Sequence, residues 1–215
     1  MTGALKSYLG EFIGTFALVL AGAGSLCVGL GPGLAALNYG LAAMSMTYAF
    51  GPISGGHFNP ALTVALYAAK RVDAARAVLF VVSQLLGAAL AGRLLAAALH
   101  GDPVQLGGTV LTIGFKAATL LEAVATFFLV ISYYAAVYDP RGRAGAAPLA
   151  HGAALAAGAL WLGPLTGGAL NPARAFGPAI NSGLWASWYV WWAGPIVGAT
   201  AAALLYESLF LERKS

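Results

Sequence analysis

Long apolar runs dominate this chain, and its polar residues are confined to the short intervals between them. A helix needs about 20 mostly apolar residues to cross a bilayer. Six runs approach that length, the second and fifth being short: Tyr8–Leu30, Ala36–Phe50, Ala77–Leu99, Lys116–Val137, Pro148–Leu162 and Trp185–Leu209. The pattern therefore predicts an all-α membrane protein with six transmembrane helices.

Two further apolar runs, at about 60–69 and 172–181, are too short to cross a bilayer. Each begins at an Asn-Pro-Ala triplet, formed by Asn59, Pro60 and Ala61 in the first run and by Asn171, Pro172 and Ala173 in the second. Proline suits the first position of a helix and asparagine suits its cap. Non-helical backbone cannot face lipid, because its N–H and C=O groups would stay unpaired. We therefore predict two re-entrant half-helices, buried in protein or lining a watery cavity.

The two halves of the chain match each other. Glu11 lies opposite Glu122 at an offset of 111 residues, and the two triplet asparagines lie opposite each other at an offset of 112. Each half holds three spans, which is an odd number, so the second copy enters the membrane upside down. We predict a single channel domain over 1–215, built as an inverted repeat of about 1–100 and 112–215.

Composition supports the membrane class. The chain is 60% hydrophobic and 8% charged, whereas globular domains are about 25% charged, and its mean hydropathy is +0.81. The net charge of +4 forms no basic cluster on a polar domain, so we expect no nucleic-acid partner. A single cysteine and three widely separated histidines favour neither a disulfide nor a metal site, and we expect no cofactor.

Positive charges predict the orientation. One set of predicted loops and ends carries Lys6, Lys70, Arg71, Arg76, Arg141, Arg143, Arg213 and Lys214. The positive-inside rule then puts both termini in the cytoplasm. The first apolar run contains Glu11 and no cleavage site follows it, so we interpret it as a span rather than a signal peptide. With no organelle signal and short termini, we expect a prokaryotic plasma (inner) membrane.

The half-helices suggest a conduction rule. If they meet near the midplane, their N-termini bring roughly half a positive charge each to the centre of the pore. A neutral molecule with an oxygen lone pair is favoured there, whereas a cation or hydronium meets a barrier. A water that accepts from both asparagine amides points its hydrogens outward, which breaks the chain needed for proton hopping.

The two triplets, the stretches "SGGHFNPA" and "NPARAFGP", and the glutamates in the first and fourth spans together resemble the aquaporin, or major intrinsic protein, family. The resemblance runs from about Glu11 to Leu209. It implies six tilted helices plus two half-helices, a homotetramer with one pore per subunit, and no catalysis.

Several polar residues allow two interpretations. Glu11 and Glu122 are either a proton relay or acceptors that hold the loop N–H groups before each triplet, and we favour the second. His57 is a pH gate or a structural partner of its loop, again with the second favoured. Arg174 is a snorkelling side chain or, as the resemblance implies, a residue of the outer constriction of the pore.

The resemblance places the selectivity filter at Tyr39, Ala159, Gly168 and Arg174. In the family that the sequence resembles, strict water channels have Phe, His, Cys or Thr, and Arg at these four positions. Glycerol channels have Trp, Gly, Phe and Arg. This sequence follows neither pattern. The small residues Ala159 and Gly168 predict a wider opening, and the Tyr39 hydroxyl adds polarity.

Other positions favour the water-channel side of the family, namely Ala175, Ala179 and the pair Trp191–Trp192. We therefore expect a passive channel for water and small uncharged solutes, with glycerol, urea and metalloid acids as candidates, that excludes protons and ions. The alternatives are an ion-coupled transporter that uses the two buried glutamates and a membrane adhesion protein with an incidental pore.

Overall fold

The computed structural model describes residues 3–99 and 108–212, within which the chain forms eight α-helices and one π-helical turn. The helices are α1 (Gly3–Cys27), α2 (Gly31–Ser54), α3 (Pro60–Ala68), α4 (Ala74–Leu99), α5 (Phe115–Tyr138), α6 (Ala147–Thr166), α7 (Pro172–Ser182) and α8 (Val190–Leu205), and the π-helical turn is Tyr206–Phe210. The predicted all-α fold is confirmed, with six long helices and the two short ones α3 and α7.

Five of the long helices are long and apolar enough to cross a membrane, with the π-helical turn extending the last of them. The other, α2, has 24 residues but is less apolar. The outward faces carry exposed large apolar side chains such as Leu86, Phe128 and Val197. So much exposed apolar surface suits lipid rather than water, and the chain is a multi-pass membrane protein.

Both α2 and α6 are longer than the sequence pattern predicted. The apolar runs ended at Phe50 and Leu162, each just before a Gly-Pro pair that normally stops a helix. Instead, each helix continues through its proline for about one turn and ends before a left-handed glycine, Gly55 or Gly167. The last span differs too, since α8 begins at Val190 rather than Trp185, after a turn with Ser187 in the left-handed region.

The two halves meet at the crossing of α2 and α6. A Cβ atom on Gly152 would lie 2.5 Å from the carbonyl oxygen of Gly40, and a Cβ atom on Gly40 would in turn meet the Gly152 carbonyl. Only glycine permits such close contact between helix backbones. Gly40 and Gly152 are 112 residues apart, which is the repeat offset of the triplet asparagines. The pseudo-two-fold axis that relates the two halves therefore passes through this crossing.

Polar side chains fasten one end of the bundle, which we call the Asp139 mouth. The Asp139 carboxylate accepts from Arg141 Nε at 2.9 Å and Nη2 at 2.7 Å, and from the Tyr206 hydroxyl at 2.8 Å. Arg71 donates to Glu207 at 2.6 Å, and the Tyr134 hydroxyl also contacts Glu207. These bonds hold the π-helical turn against the loops that follow α3 and α5.

Basic residues gather at the Asp139 mouth. Lys70 and Arg71 follow α3, Arg76 lies in the first turn of α4, and Arg141 and Arg143 lie between α5 and α6. Lys6 lies in α1 next to Ser7, whose hydroxyl donates to the Ile53 carbonyl near the end of α2. Arg213 and Lys214 lie outside the described residues.

We expect the Asp139 fastening to make stability depend on acid. Hydrogen bonds from the Arg141 side chain and backbone hold the pKa of the Asp139 carboxyl well below its usual range. A carboxyl with a lowered folded-state pKa stabilises the fold above its unfolded pKa of about 3.9, and that stabilisation is lost as pH falls further. Asp139→Asn should therefore lower the unfolding temperature at pH 7 by a few degrees. Between about pH 4 and about pH 2 its unfolding temperature should fall less than that of the unmodified chain. Thermal unfolding in detergent, followed by circular dichroism, measures both effects.

The matched control for Asp139→Asn is Glu212→Gln. Glu212 also faces Arg141, but at 3.7 Å and with its side chain 65% exposed, and such pairs contribute little. This substitution should leave the unfolding temperature unchanged. An acid dependence that is the same in Asp139→Asn as in the unmodified chain would contradict the prediction.

Candidate functional site: a pore between two half-helices

The half-helices α3 and α7 begin in the same way. Asn59 caps α3 from an extended backbone, and its Oδ1 accepts from the Ala61 N–H at 2.9 Å. Asn171 caps α7 and accepts from the Ala173 N–H at 2.9 Å. A proline occupies the first helical position in both, where no N–H is needed. The sequence thus encodes two matching helix starts.

The amide groups of the two asparagines cross between the halves. Asn59 Nδ2 donates to the Leu170 carbonyl at 2.9 Å, and Asn171 Nδ2 donates to the Phe58 carbonyl at 2.8 Å. Each asparagine therefore ties its own helix to the residue just before the other asparagine. An amide nitrogen carries two hydrogens, so each crossed amide keeps one for another acceptor. All four residues are buried.

Phe58 and Leu170 hold an unusual backbone conformation, with φ values of 49° and 52°. Residues other than glycine rarely adopt the left-handed region. Here it turns the N–H of each residue toward a buried glutamate and its carbonyl toward the opposite asparagine. The strain is held by hydrogen bonds on both sides of the residue, and it belongs to the site.

Glu11 is fully buried in α1 and supports the first loop. Its Oε1 accepts from the Ser54 hydroxyl at 2.6 Å and from the His57 N–H at 3.0 Å. Its Oε2 accepts from the Phe58 N–H at 2.7 Å and from Gln84 Nε2 at 2.7 Å. With four donors directed at it, the carboxylate acts as a fixed acceptor for the loop.

Glu122 occupies the same place in the second half. It accepts from the Thr166 hydroxyl at 2.6 Å, the Ala169 N–H at 3.0 Å and the Leu170 N–H at 2.8 Å. The repeat is not perfect, because no described residue takes the place that Gln84 has beside Glu11. Both carboxylates are used by their loops, which favours the structural interpretation over proton relay.

The four residues of the predicted filter line one cavity at the opposite end of the bundle, which we call the Arg174 mouth. The cavity has a volume of about 340 Å³ and is lined by Tyr39, Ala159, Gly168 and Arg174, together with residues of the end of α1, the start of α2 and the 108–112 segment. The fold thus brings together side chains from α2, α6 and α7 that are far apart in sequence.

Arg174 and Tyr39 face each other in this cavity. The Arg174 side chain is buried, and its Cζ lies 5.0 Å from the centre of the Tyr39 ring, within the range of a cation–π contact. The Tyr39 hydroxyl is buried and makes no hydrogen bond to any residue that the structure describes. A buried polar atom without a partner is costly, and this one belongs to a residue that lines the cavity.

Gly168 contributes to the site in a different way from the one the sequence suggested. Its φ is 57°, and a Cβ atom there would lie 2.8 Å from the Ala159 carbonyl oxygen and 2.9 Å from the Ala159 Cα. A side chain at this position would therefore point at the α6 backbone. The missing side chain lets the loop pack closely on α6 rather than widening the passage directly.

His57 is buried beside the first loop. Its backbone N–H donates to Glu11, and its Nδ1 lies 3.1 Å from the Thr63 hydroxyl. Its ring makes edge contacts with Phe80 and Tyr133, at centroid distances of 5.2 and 6.2 Å. These contacts favour the structural interpretation of His57 over a pH gate.

The sequence interpretation missed several supporting residues. Ser54 and Thr166 both lie five residues before a triplet asparagine, so the repeat itself could have found them. Gln84 is an amide within an otherwise apolar helix, and such a residue in a span is a functional or structural signal. Trp191 is buried and donates its indole N–H to the Thr166 carbonyl at 2.9 Å, a structural role that its place among the water-channel positions did not indicate.

Six long helices surround two half-helices that meet at a crossed pair of asparagines, and a cavity lies toward each end of the bundle. This arrangement defines a membrane channel. The chain belongs to the major intrinsic protein family, whose model matches residues 1–206. It is therefore a channel for water and small solutes rather than an enzyme, and its fold is that of the aquaporins.

Known proteins resemble the chain over nearly its whole length. It is 40% identical to "Aquaporin TIP4-4" of Zea mays over 224 residues, which covers 97% of this chain and 88% of that protein. It is 39% identical to "Aquaporin TIP1-1" of Arabidopsis thaliana, with coverage of 97% and 88%. Among solved structures, the aquaglyceroporin from Plasmodium falciparum matches with a TM-score of 0.84 at 23% identity, covering 96% of each chain.

Proposed function

We propose that the chain conducts water and small uncharged solutes passively between the two mouths and excludes protons and ions. The observation that carries this proposal is the crossed pair of asparagines at the N-termini of α3 and α7. Both half-helices direct the positive ends of their dipoles at this point. The centre of the path therefore favours an oxygen lone pair and repels a cation.

Proton exclusion follows from the hydrogens that the two amides keep. A water molecule at the centre accepts one hydrogen bond from Asn59 and one from Asn171. Its own hydrogens then point away from the centre, toward the two mouths. Neighbouring waters can accept from it but cannot donate to it, so a proton cannot hop through. The buried Arg174 charge adds a second barrier to cations.

The solute range depends on the filter. A larger residue at the Ala159 corner would narrow the opening, whereas alanine leaves it wide. The Tyr39 hydroxyl makes no hydrogen bond to any residue that the structure describes. Glycerol, urea and metalloid acids are small, uncharged and able to donate and accept hydrogen bonds. They are the candidate solutes, and the similarity to both aquaporins and an aquaglyceroporin is consistent with that range.

Purified protein in liposomes tests the function. After a step in external osmolarity, stopped-flow light scattering should show much faster shrinkage than in empty liposomes, and solute gradients should show faster uptake of urea and glycerol. Uptake should not saturate and should not depend on a proton gradient. Shrinkage no faster than that of empty liposomes would exclude a water channel, and saturable uptake driven by a proton gradient would indicate a transporter instead.

We further propose a homotetramer in the plasma (inner) membrane, with the Asp139 mouth and both termini in the cytoplasm. The basic residues around that mouth support the orientation, and the lower hydropathy of α2 suits a helix that a neighbouring subunit shields from lipid. Light scattering of the detergent-solubilised protein measures the subunit number. A cysteine in place of Arg143, in a chain with Cys27→Ser, reports the orientation through a membrane-impermeant maleimide.

A further inference from the structure

The inverted repeat gives every filter residue a counterpart in the other half. Tyr39 lies twenty residues before the first triplet, and His151 lies twenty residues before the second. Ala159 lies twelve residues before the second triplet, and Thr47 lies twelve residues before the first. If Tyr39 and Ala159 form a filter toward the Arg174 mouth, Thr47 and His151 should face each other toward the Asp139 mouth.

Thr47 and His151 form a hydrogen-bonded pair across α2 and α6. Thr47 Oγ1 lies 3.0 Å from His151 Nδ1, and the two residues are 2% and 1% exposed. The nearby loop repeats the packing seen at the filter. A Cβ atom on Gly56 would lie 3.2 Å from Thr47 Cγ2, just as one on Gly168 would meet Ala159. Thr47 therefore packs on the loop before Asn59 as Ala159 packs on the loop before Asn171.

The pair lies between the Asp139 mouth and the crossed asparagines. Thr47 lines a cavity of about 540 Å³ at that mouth, together with Gly55 and residues of the α5–α6 connection. The His151 ring stacks on Phe58 at 6.5 Å with an angle of 14° between the planes. The Phe58 carbonyl is the one that accepts from Asn171. A molecule leaving the centre toward this cavity therefore passes next to the pair.

The chemistry of this position differs from that of the filter. Arg174 lies three residues after the second asparagine, whereas the counterpart three residues after the first is Leu62, which cannot hydrogen-bond. Thr47 and His151 supply the polar contacts instead. His151 Nε2 makes no hydrogen bond to any residue within 3–99 and 108–212, and a neutral imidazole with a hydroxyl partner can either donate or accept there.

We propose that Thr47 and His151 form a second selectivity constriction, which lowers the barrier for solutes that both donate and accept hydrogen bonds, such as urea and polyols. This inference rests on the proposed channel function. The outer filter controls access by size and by charge. Thr47 and His151 offer hydrogen bonds that replace the water molecules which a polar solute loses near the asparagines. Water itself needs less room and exchanges hydrogen-bond partners easily, so its passage depends less on this pair.

The test compares Thr47→Val with Thr47→Ser in liposomes. Valine keeps the branched shape but removes the hydroxyl, and serine keeps the hydroxyl. Urea and water permeabilities are measured on the same vesicles, and their ratio is the readout. Thr47→Val should lower the urea-to-water ratio about fivefold, the factor that a hydrogen bond of about 1 kcal/mol corresponds to. Thr47→Ser should keep the ratio of the unmodified chain.

His151→Phe provides the second arm, because phenylalanine keeps a ring against Phe58 and removes both nitrogens. The double variant Thr47→Val/His151→Phe should lower the ratio no further than one substitution alone, since the two residues act as a pair. An unchanged urea-to-water ratio in Thr47→Val, with normal water flow, would overturn the proposal. So would a double variant whose effect equals the product of the single effects.

If Thr47→Val yields no water flow, Thr47→Ala is compared with Thr47→Ser, and equal ratios in these two overturn the proposal while a lower ratio in Thr47→Ala supports it. If liposomes with the unmodified chain shrink no faster than empty ones, the proposed channel function is wrong, which is a different result from failure of the second constriction.

Discussion

Ala159→His is expected to cut urea and glycerol permeability by about tenfold or more while water still passes. Ala159 is buried at the wall of the Arg174-mouth cavity, beside Tyr39 and Arg174. In the proposed filter, an imidazole at this position fills part of the opening. Forcing extra atoms into a tight space costs about 1–3 kcal/mol, and each 1.4 kcal/mol of barrier slows passage about tenfold. A water molecule is narrow enough to avoid most of this cost.

Stopped-flow measurements with urea, glycerol, boric acid and water test this substitution. Ala159→Ser is the matched control, because it adds one atom at the same position and should change each permeability by less than about twofold. The order of loss should follow solute width, with glycerol affected more than urea. Equal permeabilities for all three solutes in Ala159→His and the unmodified chain would show that the width of the path is not set at residue 159.

The sequence predicted where the two half-helices begin, because lipid leaves few options there. An Asn-Pro pair in an apolar chain favours a helix start, and the non-helical backbone before it must be buried in protein. Glutamates within spans must find partners. The crossed amides could not be predicted, because Asn59 Nδ2 bonds to a carbonyl 111 residues away. That contact depends on how the halves pack.

The same limit explains the misjudged helix ends and Gly168. A Gly-Pro pair in sequence stops a helix on average, but Pro52 and Pro164 lie within a turn of a left-handed glycine that ends the helix anyway. Gly168 looked like an opening because a missing side chain suggests space. The direction of that missing side chain, toward the α6 backbone, depends on its φ of 57° and is absent from any residue pattern.

Removing a buried carboxylate is expected to have the largest effect on folding. Glu11→Leu leaves the N–H groups of His57 and Phe58, the Ser54 hydroxyl and the Gln84 amide without their acceptor. Each buried donor left unpaired costs about 1–3 kcal/mol, and four of them approach the whole stability of a typical domain. We expect Glu11→Leu to abolish accumulation of folded protein in the membrane.

Glu122→Leu should be damaging but less so, because it removes the acceptor of three donors rather than four. The folded fractions of Glu11→Gln and Glu122→Gln should lie between those of the leucine variants and the unmodified chain, since an amide keeps one acceptor oxygen and turns its own donors toward the loop.

Fluorescence-detected size-exclusion chromatography of the detergent-solubilised protein measures the folded fraction. Thr119→Ala, which removes only an exposed bond within α5, is the control and should change nothing. A Glu122→Leu channel that accumulates normally and conducts water would mean that the loop before Asn171 holds its strained backbone without the carboxylate, and the structural role assigned to both glutamates would be wrong.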